Sequence, residues 1–197
     1  MTIFQTFKDF LNIGTAEEIQ KKCQPFIEQS EGLPIYRGYG GNMLARKREI
    51  EVRKDRRPRD SAKISHELMD EYFQEKFGAN VRSAGLFATG DKQTAVPYGK
   101  VYYVFPVGDF KFVWGELNGK PINDSLGISS DIKSAVSGKD KSEHAAIAKE
   151  IMDKITWHTD DLPRIIKSGG AELAILVDKV IIVPADVKIQ YSKLIGR

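Results

Sequence analysis

The chain has 197 residues, with 30 Lys and Arg against 27 Asp and Glu, and its composition is ordinary for a globular protein. The single cysteine, Cys23, excludes an intramolecular disulfide framework, and no apolar run approaches the ~20 residues that span a bilayer. No histidine and cysteine cluster has metal-ligand spacing, so we expect no metal site. The single cysteine and the lack of a spanning segment lead us to expect a cytoplasmic protein without a membrane partner.

The first predicted elements are helices that cover residues 1–30. Apolar residues recur at helical spacing over 3–12, and a capping-box pattern of Thr15 and Glu18 begins a second helix over 16–29. We expect these helices to form an N-terminal cap on a core of 33–192. Length favours one domain, 1–197.

A strongly basic segment, 46–59, follows a short predicted strand at 35–38 and a glycine-rich loop. It holds eight basic and three acidic side chains, so the rest of the chain is slightly acidic. Two interpretations stay open: a solvated arm, or a surface that binds the phosphates of a nucleic acid. The second interpretation assigns nucleic-acid binding to Arg46, Lys47, Arg48, Arg53, Lys54, Arg56, Arg57 and Arg59.

The middle of the chain predicts one helix and then a strand-rich block. A broad apolar stripe indicates a helix over 61–77, and residues 116–140 are polar enough to predict a long loop with one helical turn. Predicted strands lie at 81–89, 101–106, 110–114, 171–177, 180–184 and 187–191. Further helices are predicted at 143–155 and from the pair Asp160 and Asp161 to Lys167.

The order of these elements bears on the fold class. Helices and strands do not alternate regularly, which disfavours a doubly wound parallel sheet. We predict an α+β fold with a mostly antiparallel β-core, N-terminal helices and flanking helices.

Three short motifs, in the order arginine, hydroxyl and glutamate, resemble those of the ADP-ribosyltransferase superfamily. Ile-Tyr-Arg-Gly at 35–38 resembles the first motif, and Phe-Ala-Thr-Gly at 87–90, with Tyr98 after it, resembles the second. Gly-Gly-Ala-Glu-Leu at 169–173, followed by apolar strands, resembles the third. The resemblance covers about 35–190 and implies a split β-core. The chain also resembles phage-encoded transferases and toxins of the same fold. If it is such a protein, we expect it to act in the host cytoplasm.

The resemblance also implies a reaction, with NAD⁺ as a substrate and no metal. Glu172 would be catalytic, because a fixed carboxylate stabilises the oxocarbenium-like state formed when the nicotinamide–ribose bond breaks. Arg37 would bind the pyrophosphate with its planar guanidinium group. Thr89 or Ser83 would orient the ribose, and Phe87 or Tyr98 would stack on the nicotinamide. The implied cofactor-binding set is Arg37, Gly38, Ser83, Phe87, Thr89 and Tyr98.

Two departures from the family pattern bear on the substrate. Ala88 and Gly90 stand where the family often carries serines, which is why Ser83 is an alternative to Thr89. Gly170 stands two residues before Glu172, where arginine-modifying members carry Glu or Gln, and this disfavours arginine as the acceptor.

The expected function is therefore transfer of ADP-ribose from NAD⁺ to a macromolecule, with DNA or RNA ahead of protein. Simple hydrolysis of NAD⁺ is a further outcome of the same chemistry. The alternative is a non-catalytic nucleic-acid- or protein-binding module, such as a phage structural component, that uses segment 46–59. A third possibility is that Arg56, Arg57 and Arg59 bind the phosphates of NAD⁺.

Overall fold

The structure is a computed structural model that describes residues 15–40, 48–57, 61–122, 125–185 and 191–195. The side chains of 125–127, 193 and 194 are excepted. The predicted helix at 3–12 and the basic residues Arg46, Lys47 and Arg59 lie outside this range. Among the described residues, no helix is long and apolar enough to cross a membrane.

The described residues form helices before, between and after the strands. In chain order they are α1 (15–22), α2 (Gln24–Gln29), α3 (Lys63–Phe77), α4 (Val81–Ala84), α5 (Lys92–Ala95), α6 (Ser125–Val136), α7 (Lys141–Met152), α8 (Leu162–Lys167) and α9 (Tyr191–Leu194). A 3₁₀ turn, Val96–Tyr98, follows α5. The buried face of α3 includes Leu68 and Tyr72, and Gly78 ends this helix with a left-handed φ of 67°.

The described strands form one sheet in which every pair is antiparallel. They are β1 (Tyr36–Tyr39), β2 (Arg48–Glu51), β3 (Leu86–Thr89), β4 (Lys100–Pro106), β5 (Lys111–Leu117), β6 (Lys120–Pro121), β7 (Thr156–His158), β8 (Glu172–Leu176) and β9 (Lys179–Pro184). Their order is β2-β9-β4-β1-β3-β8-β5-β6, and β7 also pairs with β5. The predicted α+β class with a mostly antiparallel core is confirmed.

The sheet brings the three motif strands together. β3 lies between β1 and β8, with Tyr36 opposite Thr89 and Thr89 opposite Glu172. Buried apolar clusters fix this register: one includes Leu173 and Ile175 of β8, and the other includes Ala174 of the same strand. Since alternate residues of β8 enter different clusters, a one-residue slip would move Leu173 and Ile175 out of their own cluster and into the space that the smaller Ala174 occupies.

Several predicted elements differ from the structure. The predicted strand at 81–89 is a helical turn, α4, followed by a shorter strand, β3. The predicted loop at 116–140 contains the twelve-residue helix α6, whose Ile132 and Val136 are buried. The predicted helix at 16–29 is interrupted at Cys23. Residues 187–190 of the predicted strand at 187–191 lie outside the described range, and Tyr191 belongs to α9.

Candidate functional site

A cavity of about 190 Å³ lies where β1, β3 and β8 run side by side. Arg37, Thr89 and Glu172, one from each strand, all line it. Gly38, Phe87 and Tyr98 of the predicted set also line it, and so does Gly170. The lining further includes residues outside the predicted cofactor-binding set, namely Tyr36, Arg56, Arg82, Ala88, Thr94, Ala95 and Ala171.

Arg37 is hydrogen-bonded to the neighbouring strand through one nitrogen of its guanidinium group, while another nitrogen, Nε, makes no hydrogen bond to the described residues. Its Nη1 donates a hydrogen bond to the main-chain carbonyl of Phe87, and its guanidinium carbon lies 5.2 Å from the ring centroid of Tyr39. Its Nε is buried without a hydrogen-bond partner in the described part of the chain. A buried donor without an acceptor is unfavourable, so Arg37 is suited to an anionic ligand.

Glu172 is held at the first position of β8. Its main-chain N–H donates to the carbonyl of Ile122 at 3.0 Å, which fixes the backbone there. Its Oε1 lies 3.3 Å from Nη1 of Arg82, and its side chain is 31% exposed. The carboxylate therefore stands on a backbone position fixed by the sheet, contacts the guanidinium group of Arg82, and remains accessible from the cavity.

The hydroxyl of Thr89 is engaged within the protein. It donates to the carbonyl of Gly169 at 2.8 Å and accepts from the N–H of Asp91 at 3.2 Å. A hydroxyl has one proton, so Thr89 cannot donate to a ligand while it holds Gly169. Gly169 has a φ of 83° and lies three residues before Glu172, so Thr89 ties down the turn that leads into β8.

Gly38 allows the α5 segment to close over one side of the cavity. A Cβ at this position would lie 2.3 Å from the carbonyl oxygen of Ala95 and 2.7 Å from Cβ of Tyr98. The segment begins at Asp91, whose carboxylate accepts from the N–H groups of Gln93 and Thr94. Tyr98 ends the segment with 64% of its surface exposed, so its ring is open to a ligand.

Two further arginines pack on the ring of Phe87. The guanidinium carbons of Arg56 and Arg82 lie 4.8 Å and 4.7 Å from its centroid. Arg56 also donates from Nη1 to the carbonyl of Gly85 at 2.8 Å. Burial, reinforced by the cations Arg37 and Arg82, lowers the pKa of Arg56 to about 10, although Glu172 opposes this.

Ser83 does not line the cavity. It lies in α4, where its hydroxyl donates to the carboxylate of Asp70 and sits 3.0 Å from Nε2 of His66. The same carboxylate accepts the N–H groups of Arg82 at 2.6 Å and Ser83 at 3.1 Å. Asp70 thereby holds α4 on α3, with Arg82 on the cavity side.

Sequence reasoning did not identify Arg82 as a functional residue. It lies in the stretch that was predicted as a strand, and nothing in its local sequence distinguishes it from a surface arginine. The contact with Glu172 depends on α4, and α4 depends on Asp70, twelve residues earlier.

The described part of segment 46–59 is not a uniform cationic surface. Arg53 pairs with Asp55 in solvent, and Lys54 pairs with Asp178 and donates to the carbonyl of Val177. Arg57 is exposed, and Arg48 lies in the edge strand β2. Within the described part of the segment, Arg56 is the residue that lines the cavity.

The described residues contain no group of three or more His, Cys, Asp or Glu side chains that could hold a metal ion. Comparisons with protein-family models, curated proteins and solved structures found no match. The residues of the cavity are therefore the basis for assigning a function.

Proposed function

We propose that this protein is an NAD⁺-dependent ADP-ribosyltransferase and that the cavity between β1, β3 and β8 is its catalytic site. The observation that carries the proposal is the convergence of Arg37, Thr89 and Glu172, which are far apart in sequence, on one cavity. Their residue types are those that the reaction needs. The antiparallel sheet would then be the split β-core of that superfamily.

In this proposal NAD⁺ binds through its pyrophosphate and its rings. Arg37 lines the cavity and offers a planar guanidinium group to the pyrophosphate, and its Nε has no hydrogen-bond partner among the described residues. Tyr98 offers an exposed ring for stacking on the nicotinamide. Phe87 is the less suitable ring for stacking, because Arg56 and Arg82 already pack on it.

The chemical step breaks the bond between C1′ of the ribose and the nicotinamide nitrogen. Both bonding electrons leave with the nicotinamide, which becomes neutral, and the ribose carbon develops oxocarbenium character. The fixed carboxylate of Glu172 stabilises this positive charge. A nucleophile of the acceptor then bonds to C1′ and releases its proton to solvent; with water as the nucleophile, the products are those of NAD⁺ hydrolysis.

Thr89 acts in this scheme by positioning rather than by binding ribose. Its proton is committed to Gly169, so it fixes the turn that places Glu172. The acceptor is a group on a macromolecule but not an arginine side chain. Arginine-modifying members carry Glu or Gln two residues before the catalytic glutamate, where this chain has Gly170. Nucleic acid, DNA or RNA, is favoured over protein by the cationic lining of the cavity.

The test is release of nicotinamide from NAD⁺ by the wild type and by Glu172→Gln, which keeps the shape of the side chain and removes its charge. We expect the substitution to reduce release by roughly 100-fold or more, since it removes a group that acts on the transition state. Glu51→Gln is the matched control, because Glu51 lies in β2 with a side chain 85% exposed and outside the cavity. Equal release by all three proteins, or release by none, would contradict the proposal.

A further inference from the structure

The cavity is lined by two arginines, Arg56 and Arg82, besides the one assigned to the pyrophosphate of NAD⁺. Among the described residues, its lining has three arginines, Arg37, Arg56 and Arg82, against one carboxylate, Glu172. Glu172 pairs with Arg82, and the ion pairs among the described residues include neither Arg37 nor Arg56. Cations that are partly removed from water without a counter-ion are unfavourable, so a ligand with several negative charges would stabilise the site.

Arg56 and Arg82 are held as a pair, separately from Arg37. Both guanidinium groups lie within 5 Å of the Phe87 ring centroid, at 4.8 Å and 4.7 Å, whereas Arg37 is bonded to the main-chain carbonyl of that residue. The main-chain N–H of Arg56 also donates to the carbonyl of Ser83 at 3.1 Å, which joins it to α4, the helix that carries Arg82. Two like charges fixed beside one ring form a site prepared for an anion.

We propose that Arg56 and Arg82 form a second anion-binding subsite, which takes a phosphate group in addition to the pyrophosphate assigned to Arg37. The identity of the first ligand rests on the proposed function, but the subsite itself rests on the geometry of the two arginines. Guanidinium groups bind phosphate oxygens through paired N–H donors, and two of them can hold one phosphate from two directions. Burial is the main cause of the lowered pKa of Arg56, and the nearby cations Arg37 and Arg82 add to it.

The additional phosphate has two chemically equivalent sources. Arg82 contacts Glu172, and the acceptor approaches the ribose carbon beside that carboxylate, so a phosphate next to the acceptor's nucleophile would reach the pair. A phosphate on a ribose hydroxyl of the dinucleotide would supply the same chemistry. Both sources give the subsite the same task, which is to select a phosphorylated substrate.

The first arm of the test uses inorganic phosphate and needs no catalysis. Binding is measured by titration calorimetry for the wild type, Arg56→Gln and Arg53→Gln. We expect Arg56→Gln to weaken phosphate binding about tenfold or more, because charge-assisted hydrogen bonds are lost. Arg53→Gln removes the same charge from the same segment, but Arg53 pairs with Asp55 in solvent, so we expect little change. Thermal unfolding verifies that each variant folds, and Arg56→Lys keeps the charge if Arg56→Gln does not fold.

The second arm identifies the source of the phosphate. With the site saturated by ADP-ribose, a 5′-phosphorylated trinucleotide is compared with its unphosphorylated form; separately, NAD⁺ with an added ribose phosphate is compared with NAD⁺. In the wild type, the added phosphate should strengthen binding in one of these two pairs of ligands. The pair whose difference in affinity disappears in Arg56→Gln identifies the source of the phosphate. Phosphate binding that is equal in wild type and Arg56→Gln, or weakened equally by Arg53→Gln, would overturn the subsite. Arg56-dependent phosphate binding without nicotinamide release would keep the subsite and reject the proposed reaction.

Discussion

At the scale of single residues, hydrogen bonds already made inside the protein decide what each polar side chain offers to a ligand. Among the described residues, Nε of Arg37 is buried without a hydrogen-bond partner, whereas the hydroxyl proton of Thr89 is donated to the carbonyl of Gly169. The family resemblance assigns both residues to cofactor binding. In the proposed reaction they have different tasks, because the described hydrogen bonds occupy the hydroxyl proton of Thr89 but not Nε of Arg37.

Thr89→Val tests whether this hydroxyl is a structural bond. The substitution keeps the shape of the side chain, but it leaves the carbonyl of Gly169 and the N–H of Asp91 without their partner. We expect the free energy of unfolding to fall by about 1 kcal/mol or more, since two partly buried main-chain groups lose a hydrogen bond. Urea denaturation measures the change.

Thr89→Ser is the control for that experiment. It retains the hydroxyl, so it should recover most of the lost stability. If Thr89→Val is as stable as Thr89→Ser, the hydroxyl does not hold the turn and remains available to a ligand.

At the scale of elements, the cavity exists because α5 and its 3₁₀ turn approach β1 very closely at Gly38. A methyl group there would overlap the carbonyl of Ala95 and Cβ of Tyr98. We expect Gly38→Ala to displace this segment and to destabilise the fold by about 1–3 kcal/mol, as overpacking does. Thermal unfolding measures the loss of stability.

Gly40→Ala is the matched control, two residues further along the same chain segment. A Cβ at Gly40 would have as its nearest neighbour the carbonyl oxygen of Tyr98 at 3.8 Å, which is ordinary van der Waals contact. Loss of stability in Gly40→Ala equal to that in Gly38→Ala would show that the close approach at Gly38 is not the cause.

The same scale shows what the sequence could and could not predict. Apolar runs and helical stripes predicted α3, β4, β8 and β9, because burial of those side chains dictates the period of the pattern. They did not predict α4, since its N–H groups are satisfied by Asp70 from another helix. The helix α6 was predicted as a loop because its glycine and serines weaken helix propensity, although Ile128, Ile132 and Val136 repeat at helical spacing.

The candidate site was predictable to the extent that its residues lie in short motifs. Arg37, Thr89 and Glu172 each lie in a motif that was predicted to contain a strand, and the structure places these three strands side by side. The positions of Arg56 and Arg82 were not predictable as a pair. Their contact is set by a ring on a third segment, Phe87, which has no periodic relation to either arginine.

At the scale of the whole molecule, a buried polar cluster joins α3, α4 and the basic segment behind the cavity. His66 is 7% exposed and Asp70 is 8% exposed, and both contact Ser83. Arg82 and Arg56 are the cations that act on His66 from α4 and from the basic segment. The protonation of His66 is therefore coupled to the stability of the elements that hold the arginine pair.

Burial is the main cause that lowers the pKa of His66 below its ordinary value of 6.5; Asp70 opposes the shift, and Arg82 and Arg56 reinforce it. As the pH falls through 6.5, the unfolded chain therefore takes up a proton that the folded chain resists. The free energy of unfolding should decrease by up to about 1.4 kcal/mol per pH unit from this residue, until the lowered pKa is reached. We expect His66→Gln, which cannot titrate, to reduce the slope of unfolding free energy against pH between about pH 7 and about pH 5.

Urea denaturation across this range measures the slopes for the wild type and for His66→Gln. Lys63→Gln, at the exposed start of α3, is the control. Equal slopes in wild type and His66→Gln would mean that the cluster accepts the proton without cost, and that His66 does not couple pH to the arginine pair.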